Sequence, residues 1–341
     1  MRDFIPVNRP ALVLAPMQCV TDLPFMRVIA KRGGPDWFVT EFFRVHENAR
    51  PDRYILRSIV ENQTGLPIFA QIIGSDAAEM CRVARELHQY PIAGIDLNLG
   101  CPSPTVCGKS AGGGLLRNPA AIDCMIGALR DAIPGRFTVK TRLGYENEQE
   151  FGQLLDVFRK HAIDGLTIHA RTVTDRYQTP VRPAFVQHAV ATLPCPVIAN
   201  GNVVNAQAGW NLLAKTKAAG LMIGRGAIRN PWIFEQIRHY GSGNSPVPTT
   251  HDLHEYIGDL YEEMARETKQ FDERLHVQRM KKTMLYIVQG LGEETEQAMR
   301  RVATAADFFA ICQKALEEKR DLPDVPPESS KLFCGFHELL L

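Results

Sequence analysis

The chain of 341 residues is 45% hydrophobic and 23% charged, with a formal net charge of +1. These values fit a folded globular protein and leave any nucleic-acid partner to a local basic patch. No stretch approaches the roughly 18 uninterrupted apolar residues of a membrane span. The opening Met1-Arg2-Asp3-Phe4-Ile5-Pro6 lacks a secretory apolar run, and the 8 cysteines lack paired CxxC spacing. A cytoplasmic protein with free thiols, no disulfides and no metal site is expected.

Strand-like apolar runs span residues 12–15, 37–42, 67–73, 94–98, 137–142, 165–169, 196–200 and 220–223. Most are continuous rather than alternating, the pattern of parallel strands covered on both faces. Helical stripes lie between them. Residues 76–90 place Met80, Val83, Ala84 and Leu87 on one side, residues 119–132 carry Pro119 in the first turn, and residues 148–161 follow. About eight βα units in about 240 residues match the size of a (β/α)8 TIM barrel. An open doubly wound sheet fits less well, because no GxGxxG turn follows the first strand.

Composition shifts at residues 241–248, a Gly/Ser/Asn/Pro stretch that reads as a linker. Only helical patterns follow. Leu253, Tyr256, Ile257, Leu260, Tyr261 and Met264 recur at i, i+3, i+4 spacing, a second helix covers residues 273–289 and a third residues 294–319. The α/β organisation expected is a barrel over residues 1–240, a linker over 241–250, a smaller all-α domain over 251–320 and an irregular tail over 321–341. Chain length agrees, since single cores stop growing near about 250–300 residues.

In a barrel the carboxyl ends of the strands face one site. Here those ends carry Ala15-Pro16-Met17, Gln71, Asn98 with Cys101, Lys140 with Arg142, His169 with Arg171, Asn200-Gly201-Asn202 and Gly224-Arg225-Gly226. A thiol beside the turn Gly100-Cys101-Pro102 can give a proton to a reacting carbon. Cys107, nearby, reads as a loop residue rather than a second reactive thiol. Glycines in the last two turns let backbone approach a ligand. A helix starting after Gly226 aims free N–H groups at an anion, and Arg225 adds charge, so a phosphorylated ligand is expected there. Lys140 lies deeper, where an ammonium steadies an anionic ring, and Gln71 can bond a ring edge. The set suits flavin mononucleotide (FMN) better than a dinucleotide.

These motifs, with Asp96-Leu97-Asn98-Leu99-Gly100-Cys101-Pro102, Val139-Lys140-Thr141-Arg142-Leu143-Gly144, His169-Ala170-Arg171-Thr172 and Ile223-Gly224-Arg225-Gly226, occur in one order. Over nearly its whole length the chain resembles the tRNA-dihydrouridine synthases. The resemblance implies a flavin-bearing barrel followed by a helical tRNA-binding domain. It implies that NADPH reduces bound FMN, that a hydride passes to C6 of a uracil, and that Cys101 protonates C5. It assigns Ala15, Pro16, Met17, Gln71, Lys140, His169, Asn200, Gly201, Asn202, Gly224 and Arg225 to the flavin. It places Asn98, Arg142, Arg171 and Tyr177 near the uridine or the RNA.

Thr40-Glu41-Phe42-Phe43-Arg44-Val45 and Leu275-His276-Val277-Gln278-Arg279-Met280-Lys281 further resemble the C-type bacterial synthases, which act on the D-loop uridine at position 16. Arg44, Arg279, Lys281 and Arg300 would then orient the tRNA. His276, Arg279, Lys282 and Tyr286 are read as one RNA-facing stripe of the second helix. No membrane or protein partner is implied. Two departures stand out: Cys19 where the family usually has glycine, and Ala170 in place of the glycine of His-Gly-Arg. A flavin barrel acting on a free dihydropyrimidine or enone, and an RNA-binding protein with a decayed barrel, are the alternatives.

Overall fold

The computed structural model describes residues 1–177, 179–268, 272–328, 330 and 332. Its sheet is parallel throughout, with β1 (Ala11–Leu14), β2 (Trp37–Val39), β3 (Phe43–Arg44), β4 (Ile68–Ile73), β5 (Gly94–Leu99), β6 (Phe137–Arg142), β7 (Gly165–His169), β8 (Val197–Asn200) and β9 (Gly220–Ile223). The pairing runs β1–β2–β4–β5–β6–β7–β8–β9 and returns to β1, which closes an eight-stranded barrel; β3 adds to β4 outside the circuit. The continuous apolar runs have the expected cause. In β1, β4, β5, β7 and β9 every residue is buried, because one face meets the barrel interior and the other its helical coat.

The expected single strand over residues 37–42 is instead interrupted. Thr40 donates its N–H to Phe69 O at 2.9 Å and accepts the Gln71 N–H on Oγ1 at 3.1 Å. A side chain takes over one ladder bond, and pairing resumes only when Phe43 and Arg44 meet Ile72 and Ile73. Helix starts follow their caps. Asp76 accepts the Glu79 N–H ahead of helix Ala77–Leu87, and Asn118 accepts the Ala121 N–H ahead of Pro119–Ala132.

The chain forms two compact units. The first comprises residues 1–21, 35–201 and 210–223; the second comprises 22–34, 202–209 and 224–341. All nine strands lie in the first. Residues 224–240, read in sequence with the barrel, cluster with the C-terminal helices, as does helix Leu23–Ala30. Within the second unit, Arg27 pairs with Glu267 at 2.8 Å, Arg32 with Asp259 at 2.8 Å and Arg279 with Asp22 at 2.9 Å. Leu253, Tyr256, Ile257, Leu260 and Met264 are buried along helix Thr250–Glu267, as their spacing predicts.

The helix expected over residues 294–319 is two, Glu293–Arg301 and Ala305–Leu316. Thr304 caps the second by accepting the Asp307 N–H. Lys281 donates to the Val302 carbonyl at 3.0 Å, satisfying the break. In helix Glu273–Ile287 the stripe holding His276 and Tyr286 is buried with Val277, Met280 and Met284, so it packs the unit and does not form an RNA face. The tail is irregular but anchored: Leu322 N–H bonds Pro248 O, and Asp324 accepts from Asn205. Its residues 329, 331 and 333–341 lie outside the described residues. Among the described residues the cysteines are free thiols, and no helix is long and apolar enough to cross a membrane.

Barrel closure at the β1–β9 seam depends on one missing side chain. A Cβ at Gly220 would lie 2.3 Å from Ala11 O and 2.8 Å from Ala11 Cβ. Gly220→Ala is expected to destabilise the protein by about 1–3 kcal/mol, read as a lower urea midpoint. An unchanged midpoint would show that the seam tolerates a methyl.

Candidate active site

Strand register decides which side chains meet. Asp96 lies opposite Thr138, Asn98 opposite Lys140, Arg142 opposite His169, and His169 opposite Asn200. Asp96 is 2% exposed, inside β5, whose other polar side chain is Asn98. Its Oδ1 accepts from Thr138 Oγ1 at 2.6 Å and its Oδ2 from Gln71 Nε2 at 2.7 Å. The Gln71 Oε1 then accepts from Asn98 Nδ2 at 2.8 Å. This leaves Asn98 Oδ1 to accept the N–H groups of Gly100 at 3.0 Å and Cys101 at 2.9 Å. An ionised carboxyl only accepts, so it fixes which end of each amide points where. Burial pushes the Asp96 carboxyl up, against the bonds from Thr138 and Gln71 and the charge of Lys140.

Cys101 follows β5 on this braced turn and is partly exposed. Its carbonyl accepts from Gly113 N–H at 3.1 Å and from Cys107 Sγ at 3.4 Å. Cys107 itself is buried at the end of the short helix Pro104–Cys107, not in a loop. Burial raises the Cys101 thiol above its ordinary range; the Ser103 N–H and the cations Arg142, Arg44 and Lys140 oppose that rise. The thiol therefore keeps its proton at neutral pH, and the groups that would steady its thiolate are already in place.

Lys140 donates to Asn200 Oδ1 at 3.3 Å, while Asn200 Nδ2 donates to Met222 O at 2.7 Å. Burial, then the Arg142 charge, lowers the Lys140 ammonium to about 8. A desolvated cation held by a neutral amide suits an anionic ligand, so this donor set fits the flavin ring expected there. Gly201 takes φ +132°, where a Cβ would lie 2.7 Å from Val181 Cγ1 and 3.2 Å from His169 Cδ2. Arg171 donates to Thr179 O and, at 3.0 Å, to His169 Nε2, so the ring proton sits on Nδ1.

The structure gives several expected residues a framework role. Gln71 is fully buried by the relay rather than open at a ring edge. Arg142, 1% exposed, donates to Gly100 O at 3.0 Å, Thr172 O at 2.7 Å and Arg176 O at 2.8 Å, and lies over the Tyr177 ring. It staples the Cys101 turn to the loop after β7. Ala15 donates its N–H to Ile223 O, and its carbonyl accepts from Thr21, which also accepts the Met17 N–H. Pro16 lies between them. Arg44 is exposed, bonded to Gln18 and set over the Phe42 ring. Cys19 takes φ +62°, a left-handed conformation that glycine would adopt without strain, and its thiol is exposed.

Asn202, Gly224, Arg225, Arg279, Lys281 and Arg300 fall in the second unit. Asn202 adopts φ +53°, which asparagine tolerates. Gly224 follows β9 directly and caps helix Arg225–Arg229, which begins before Gly226 rather than after it. A Cβ at Gly226 would lie 2.1 Å from Val203 O, so this glycine serves a close backbone approach. Arg279 is committed to Asp22 and Lys281 to Val302 O, whereas Arg300 is exposed. Sequence reasoning gave Asp96 and Thr138 no role. The available signal was a pair of polar residues inside buried strands, which must bond something.

The family described as dihydrouridine synthase (Dus) matches residues 13–320. Among curated proteins, the tRNA-dihydrouridine(16) synthase of Neisseria meningitidis serogroup A is 30% identical over 312 residues, 89% of this chain and 92% of its own. That of Pasteurella multocida is 32% identical over 314 residues, 89% and 97% of the two chains. That of Haemophilus ducreyi is 33% identical over 261 residues, 73% and 79%. Among solved structures, a variant of the NCR protein from Zymomonas mobilis matches with TM-score 0.50 at 14% identity, covering 70% of this chain and 88% of that one. A morphinone reductase variant in complex with tetrahydroNAD matches with TM-score 0.51 at 11% identity, covering 67% and 86%. At such identities the structural likeness shows the barrel fold alone.

Two expected outcomes follow from the electrostatics. The Cys101 thiol should be alkylated by iodoacetamide with an apparent pKa above that of an ordinary cysteine; rapid alkylation at neutral pH would contradict the site described. For Lys140, a folded-state value of about 8 against 10.5 when free means the folded chain binds the proton more weakly. The charge therefore costs stability below about pH 8, and the cost fades as pH rises toward 10.5. Lys140→Met should stabilise the flavin-free protein by about 1–2 kcal/mol at pH 7, with the gain vanishing at high pH. A loss of stability at pH 7 would refute it.

Proposed function

This chain belongs to the dihydrouridine synthase family, and on that premise we propose that it reduces a tRNA uridine, at position 16 of the D-loop, to 5,6-dihydrouridine. The position follows the relatives that share most of its length and are named for that site. The observation that carries the chemistry is the braced, protonated Cys101 thiol on the turn after β5, the strand paired with β6, which carries the desolvated Lys140.

The reacting bond of uracil is stacked inside folded tRNA, so the base must leave the stack to be reached. Lys140, Asn200, His169 and Gly201 would hold the ring of FMN, which, once reduced by NADPH, would supply a hydride for C6 of the uracil. The Cys101 Sγ–H bond breaks and its proton goes to C5. The thiolate left behind is steadied by the Ser103 N–H and the neighbouring cations, then regains a proton from water. Asn98 does not reach for the proton; it holds the turn that aims the thiol. Arg142 and Arg171 shape the wall, and Arg44 and Tyr177 are the more open groups left to meet the nucleotide. The helices beyond residue 250 are the proposed tRNA-binding part, with Arg279, Lys281 and Arg300 as its basic contributors.

Comparing dihydrouridine along tRNA from cells with and without the protein tests the reading. Loss confined to position 16 is expected, and an unchanged map would refute it. Cys101→Ala should keep flavin absorbance yet slow product formation by about 100-fold or more, the usual share of a general acid. Product at the wild-type rate would remove Cys101 from the chemistry.

A further inference from the structure

The 3-10 turn Gly112–Arg117 is tied to the catalytic loop. Gly113 donates to the Cys101 carbonyl at 3.1 Å, and a Cβ at Gly114 would lie 2.7 Å from Cys107 O. At its end Arg117 is exposed, yet its guanidinium carbon lies only 3.4 Å from the centroid of the Tyr145 ring. Arg117 follows the carboxyl end of β5 and Tyr145 that of β6, so both stand on the barrel face that presents Cys101. Among the described residues no carboxylate pairs with Arg117, whereas the exposed Arg159 of the same unit pairs with Asp156. A guanidinium stacked on a ring has lost most of its rotational freedom and keeps its in-plane N–H edge for a bidentate acceptor. That is the geometry of phosphate recognition, and a polyanion is the ligand this face would meet.

We propose that Arg117, mounted on Tyr145, clamps a backbone phosphate of tRNA at the rim of the barrel beside Cys101. The inference rests on the tRNA reading above. It adds a contact on the barrel itself, one that no motif resemblance assigned. The 2′-phosphate of NADPH offers the same chemistry, and the test separates the two sources.

Holoprotein is titrated with unmodified tRNA transcript across a salt series, as wild type, Arg117→Ala, Arg117→Lys, Tyr145→Phe, Tyr145→Ala and Arg159→Ala. Arg159→Ala removes an equally exposed guanidinium from the outer helix Phe151–Lys160 and controls for bulk charge. Arg117→Ala should weaken binding roughly threefold to tenfold and make the log–log salt slope shallower by about 0.7–0.9, the signature of one lost phosphate. Arg117→Lys should keep most of the slope while losing part of the affinity. Tyr145→Phe should bind as wild type, and Tyr145→Ala should fall between wild type and Arg117→Ala. A slope for Arg117→Ala equal to that of Arg159→Ala overturns the clamp. So does an unchanged slope accompanied by a raised KM for NADPH, which would assign the guanidinium to the dinucleotide. Because binding rather than turnover is measured, a wild-type protein that holds tRNA but makes no dihydrouridine sinks the catalytic reading alone. One that binds no tRNA sinks both.

Discussion

A carboxylate removed from water in the wall of the barrel is the constraint on which the rest depends. Asp96 can remain there only if both oxygens are bonded, and Thr138 and Gln71 supply those bonds. Each acceptance dictates the next donor, until the last amide oxygen in the series holds the backbone of Gly100 and Cys101. The thiol is thus placed by a hydrogen-bonded chain through side chains of three neighbouring strands, β4, β5 and β6, and not by its own loop alone. The cost of keeping Asp96 dry is returned as a turn with little freedom to drift.

Charge at the mouth works in the opposite sense to charge in the wall. Lys140 and Arg142 are cations at the site with few anions to meet, so burial depresses Lys140 toward neutrality. The same cations oppose the rise of the Cys101 thiol. One positive field therefore serves an anionic ring on one side and a nascent thiolate on the other. Arg142 contributes structurally as well, since its three carbonyl bonds lock the loop after β7 to the turn after β5.

Much of this was readable before any coordinates. Seven of the eight barrel strands begin and end within a residue of where the apolar runs put them, because a strand covered on both faces does not alternate between core and solvent. The exception, β2, ends early because Thr40 bonds across to β4 with its side chain, an event composition does not reveal. The motif list located the thiol, Asn98, Lys140 and Asn200, but not which amide end faces which, since orientation is set by partners distant in sequence. In the helical unit the stripe of His276 and Tyr286 misled. Basic and aromatic residues at helical spacing serve a core as readily as an RNA, and His276 spends its Nε2 on the Thr268 carbonyl. The break before Ala305 was signalled only by a Thr304–Asp307 pair that doubles as ordinary helix sequence.

The helix Leu23–Ala30 belongs to the same compact unit as the last third of the chain. Its Arg27, its cap residue Asp22 and Arg32 just beyond it are partnered by Asp259, Glu263, Glu267 and Arg279. A ribosome delivers that helix more than 200 residues before its partners. During synthesis the nascent protein therefore carries an early segment whose ion-pair partners arrive only when translation is almost over. For the same reason a cut at a single point near residue 240 would separate that helix from the rest of its unit. The truncated product would keep Arg27 and Arg32 and lose the carboxylates that hold them.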